Sequence, residues 1–111
     1  MKKIIFTLGA LAALSFSCQK NNQQTDFTAC NNPTYEGSLK SLIDNKCATS
    51  GCHAGSVSPN LTSYSQVKNA ADNGSLYREV IDRQTMPEGM SFSQEEYDSF
   101  NCWLNAGAPE K

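Results

Sequence analysis

The chain has 111 residues, five of them Cys and one His, with 39% hydrophobic side chains, 18% charged ones and a formal net charge of -2. That length holds one ordinary domain, and the apolar content excludes a wholly disordered chain. The near balance of 9 Lys+Arg against 11 Asp+Glu excludes a nucleic-acid binder that works through a strongly basic surface.

Met1-Lys2-Lys3 gives a basic start, Ile4 to Leu14 is an apolar run broken by Thr7 and Gly9, and small residues appear in Ser15-Phe16-Ser17-Cys18. This is the layout of a secretory signal, and the run is short for a membrane-spanning helix. Cys18 stands where an ordinary signal has its first mature residue, so the segment resembles a bacterial lipoprotein signal. The resemblance implies removal of residues 1–17 and lipidation of Cys18. Residues 18–34 follow as a polar tether, beginning Gln19-Lys20-Asn21-Asn22-Gln23-Gln24-Thr25. Several acyl chains, at about 0.8 kcal/mol per buried methylene, hold such a protein on a membrane almost permanently. The expected location is the bacterial cell envelope, as a periplasmic or outer-membrane lipoprotein, where disulfides persist.

Residues 35–111 form the domain. Leu39, Leu42, Ile43 and Cys47 recur at helical spacing and predict a helix over 38–46. Thr62 or Ser63 caps a short helix through Val67 and Ala70, which Asn73-Gly74 stops. Ser75 starts another, with Leu76, Val80 and Ile81 on one face. In the last helix Ser93-Gln94-Glu95-Glu96 is a capping box, Tyr97, Phe100 and Leu104 form an apolar stripe beside Trp103, and Gly107 and Pro109 end it. No run alternates as a strand does, so the expected class is all-α, with four to five short helices. Their apolar faces alone make a thin core.

Within this scaffold, Cys47-Ala48-Thr49-Ser50-Gly51-Cys52-His53 sets the sole His directly after a Cys. In an exported protein a Cys pair ending in Cys-His suggests covalent haem attachment. Two thiols add across the two vinyl groups of haem as thioethers, and the adjacent imidazole reaches the iron with little freedom left to lose. Other readings are a local Cys47–Cys52 disulfide, a zinc site, which lacks the usual ligand spacing, and a nucleophilic Cys–His pair, which needs adjacency in space rather than in sequence.

The segment resembles the haem-binding motif of the c-type cytochromes, with four residues between the cysteines in place of the usual two. Small Ala48, Ser50 and Gly51 suit the tight loop that such a spacer needs. The resemblance implies Cys47 and Cys52 as covalent anchors of one haem c and His53 as the proximal iron ligand. Thr85-Met86-Pro87 is similar to the Met-Pro segment that carries the distal ligand. Pro87 keeps Met86 out of helix, and Met90 is the alternative to Met86. Either methionine could also simply fill the core. Ser58-Pro59-Asn60-Leu61 is similar to the segment whose backbone carbonyl accepts the proximal imidazole N–H, although it could equally be an ordinary turn. With Cys18 lipidated and Cys47 and Cys52 on haem, Cys30 and Cys102 are the pair left for a disulfide. The implied fold packs the N-terminal helix against the C-terminal one around the haem.

The expected function is a membrane-tethered electron carrier whose partners are membrane-bound redox proteins and not nucleic acid. No acid, base or nucleophile constellation lies beyond the haem site, so no catalysis is expected. A haem-based ligand binder or sensor and a haem-free, disulfide-stapled lipoprotein with an interaction role are the alternatives.

Overall fold

The structure, a computed structural model, describes residues 30–111. The signal segment 1–17, Cys18 and the tether as far as residue 29 lie outside the described residues. Among those described the chain is helical, with no strand.

Helix α1 opens as a wide π-type turn over Tyr35–Leu39 and continues directly as the α-helix Lys40–Lys46. It starts three residues before the predicted 38, because Thr34 acts as the N-cap and its Oγ1 accepts from the Gly37 N–H at 3.1 Å. A Cβ on Gly37 would meet that hydroxyl at 2.8 Å, so the cap and the glycine are matched. Helix α2, Tyr64–Asp72, is capped by Ser63 rather than Thr62, with Gln66 completing a capping box. After Gly74, Ser75 and Leu76 lead into α3, a π-type helix over Tyr77–Asp82. Helix α4, Gln94–Asn105, carries the predicted capping box between Ser93 and Glu96.

Helix α4 is the centre of the packing. The first turn of α1 and helix α3 lie against it. Trp103, Phe100, Leu39, Ile43, Val67 and Val80 are fully buried, and the Phe100 and Trp103 rings meet edge to face at 5.8 Å. The segment after α4 returns as a strap. Ala108, at φ +54°, turns the chain so that the Pro109 carbonyl accepts from Trp103 Nε1 and from the Tyr35 N–H, both at 2.9 Å, while the Ala108 carbonyl accepts from the Tyr64 hydroxyl at 2.9 Å. Cys30 and Cys102 form a disulfide, which fastens the start of the described chain to α4. Pro33 is buried and Thr34 caps α1, so the last residues of the 18–34 tether are held on the domain. At the other end of α1, Lys46 Nζ donates to Glu96 Oε2 at 2.7 Å and to the Ser91 carbonyl at 2.9 Å.

Candidate functional site

The C-terminal end of α1 delivers Cys47 into a loop that closes on itself. The His53 N–H donates to the Cys47 carbonyl at 3.1 Å, the Cys52 N–H to Thr49 at 3.0 Å, and the Leu61 N–H to the His53 carbonyl at 2.8 Å. Gly51 sits at φ +81°, a left-handed conformation that a side chain would resist, so the four-residue spacer turns where glycine permits it.

The His53 ring is fixed by its Nδ1, which lies 2.8 Å from the Pro59 carbonyl and 3.2 Å from that of Val57. Carbonyls only accept, so Nδ1 carries the proton and donates. The tautomer is thereby set and Nε2 keeps its lone pair. The Pro59 carbonyl, inside the Ser58–Leu61 segment, and the Val57 carbonyl just before it are thus the brace of this imidazole.

Cys47, Cys52, His53 and Met86 all line one cavity of about 310 Å³, a size at the lower end of small-molecule sites. Its walls include the buried Leu61, Leu76, Val80 and Pro87, while Gly51, Cys52, Val57 and Arg78 are exposed at its rim. Met86 is half-buried. Met90, the alternative, is 44% exposed and does not line the cavity. Cys47 and Cys52 are free thiols, the first buried and the second exposed, with no bridge between them. Burial, reinforced by the charge of the neighbouring Cys52 and opposed by Lys46, pushes the Cys47 thiol up to about 11. Such a thiol is a poor nucleophile at neutral pH, and the His53 proton is directed at carbonyls rather than at sulfur. Among the described residues no three His, Cys, Asp or Glu side chains converge as a protein-only metal site requires.

Sequence reasoning missed Lys46, Arg78 and Glu79, which also line the cavity. Lys46 could have been marked by its place next to Cys47. Arg78 and Glu79 read only as the solvated face of a helix, because nothing local to them reports a loop folding back from residue 85.

Residues 1–19 match the family described as prokaryotic membrane lipoprotein lipid attachment site. The protein is a membrane-anchored lipoprotein of the cell envelope. No curated protein and no solved structure matches the chain.

Proposed function

We propose that this lipoprotein is a single-haem electron carrier of c-type cytochrome character, tethered to a membrane and serving redox partner proteins there. Cys47 and Cys52 are the thioether anchors, His53 is the proximal ligand and Met86 the distal one. When bound, the haem supplies an iron that cycles between the ferric and ferrous states. The observation that carries the reading is that four residues drawn from positions 47 to 86 line one cavity, with the imidazole already held by Nδ1 so that Nε2 is the nitrogen available to a metal. With the two thiols assigned to the porphyrin, the Met86 thioether is the sulfur left in that lining to ligate the iron, and Met ligation raises a haem potential. Buried Leu61, Leu76, Val80 and Pro87 give the site an apolar wall, which limits reorganisation on that side. No residue is assigned a catalytic step. The lipid anchor raises the effective concentration of the carrier near membrane-bound partners.

The test is mass spectrometry of mature protein produced alongside a haem-attachment system. The peptide spanning Cys47 to His53 is expected to carry one porphyrin, with haem colour that survives denaturing electrophoresis. An unmodified peptide from correctly matured material overturns the proposal. The second reading, a haem-free lipoprotein with an interaction role, draws on the Cys30–Cys102 disulfide and the C-terminal strap, which close the far end of the core with protein groups alone. An unmodified peptide favours it.

A further inference from the structure

The loop that presents Met86 is tied to α3 at a single residue. Gln84 adopts φ +53° and turns the chain back at the end of the helix. The next two backbone N–H groups, of Thr85 and Met86, then both donate to the Glu79 carbonyl, at 2.9 and 3.2 Å. The Thr85 hydroxyl donates to the Glu79 carboxylate and lies farther, at 3.3 Å, from the Glu79 carbonyl. That carboxylate also accepts from Arg78 Nε at 2.9 Å and has Arg83 Nη1 at 3.6 Å, so two guanidinium groups hold it in place. Glu79 and Met86 line the same cavity wall. Among the described residues the only other restraint on the loop is packing, of buried Pro87 and of half-buried Met86 against the core, since Gln84, Thr85, Glu88 and Gly89 are all exposed.

We propose that Glu79, acting through the Thr85 hydroxyl, is the positioning residue that holds the Met86 thioether at the cavity and so sets how readily an outside ligand displaces it. This rests on the haem reading above. The physical argument is one of degeneracy. A backbone cap alone fixes where a loop begins, whereas a side-chain bond at the residue preceding Met86 adds a second restraint on the backbone from which the thioether projects. Charge-assisted hydrogen bonds of this kind are stronger than neutral ones.

The experiment uses the haem-loaded, full-length mature protein and titrates the ferric form with imidazole, followed by absorbance. Thr85→Val keeps the side-chain shape and both backbone bonds but removes the hydroxyl. It should bind imidazole about tenfold more tightly than wild type, the scale of one lost charge-assisted hydrogen bond. Glu79→Ala should do the same, Thr85→Ser should restore wild-type affinity, and Met86→Ala should bind tightest of all. A purely structural cap predicts instead a lowered melting temperature with an unchanged imidazole affinity in Thr85→Val and Glu79→Ala, and that result overturns the inference while leaving the haem assignment intact. A mature protein with no covalent haem, or a Met86→Ala variant that titrates as wild type does, removes the ligand reading and this inference with it.

Discussion

The two ends of this small domain are built differently. At one end the first turn of α1, α4 and the C-terminal strap enclose Trp103, Phe100 and Leu39, none of which exposes any surface, and Trp103 Nε1, the Tyr64 hydroxyl and a disulfide join the pieces. At the other end the end of α1, the motif loop, α3 and the Met86 loop surround a cavity of about 310 Å³. The contrast is between two ways of finishing a small core. Protein groups complete one half, while the other half presents apolar walls, a braced imidazole and two thiols to a space they do not fill.

Truncation should separate the halves most sharply. Trp103→Ala removes a large side chain from close-packed surroundings, and a loss of about 3–5 kcal/mol is expected in urea unfolding of the haem-free protein. Leu76→Ala, in the cavity wall, should cost about 2 kcal/mol, the low end for such a change, because on one side it already lacks neighbours to lose. Equal costs would erase the distinction between a filled and an unfilled end.

Removing the staple is the next largest effect. The Cys30–Cys102 bond joins residues 72 apart in sequence, and loss of such a loop constraint costs on the order of 4 kcal/mol in the chain-entropy model, with smaller values where the unfolded chain retains structure. The Cys30→Ser, Cys102→Ser double variant should therefore melt well below wild type. On the proposed haem reading, the spectrum of the variant produced alongside a haem-attachment system should match wild type, since neither residue lines the cavity. A shifted spectrum in the folded variant would show that the two ends are coupled.

How much of this was legible before the structure depended on how local the signal was. The capping box of α4, the α2 stop at Asn73-Gly74 and the helical periodicity of Leu39 and Ile43 are short-range patterns, and each is found where the sequence put it. The start of α1 was misjudged because Tyr35 and Gly37 lack helical periodicity, and the cap from Thr34 that rescues them depends on one hydroxyl. The strap was invisible for a different reason. Gly107 and Pro109 announced the end of a helix, but backbone carbonyls that later accept from Trp103 and Tyr64 have no residue type to betray them. In the candidate site, the motif residues could be named from spacing and resemblance, while Ser58–Leu61 could be either a brace or an ordinary turn until the Pro59 carbonyl was seen at the ring. The hold of Glu79 on the Met86 loop arises from a reversal at Gln84, whose left-handed backbone no side-chain chemistry foretells.

The smallest effect lies where the two ends meet. Lys46 sits at the cavity edge and at the same time donates to Glu96 at the start of α4. That hydrogen bond, helped by the Ser93 N–H, holds the Glu96 carboxyl below its ordinary value of 4.5. The folded state therefore binds the Glu96 proton less readily than the unfolded chain does. The resulting stabilisation is fully present above the ordinary carboxylate range and fades as the pH falls through the lower, folded value. Both side chains are partly exposed, 24% and 33%, so the contribution is small and weakened by salt. Glu96→Gln retains an amide oxygen for the capping box but loses the charge. Its thermal midpoint should fall slightly below wild type at neutral pH, and the two curves should converge on acidification below the ordinary carboxylate range. A gap that stays constant down to that acid limit would mean that Glu96 acts there as a shape and not as a charge. The link between the filled end and the open one would then rest on packing alone.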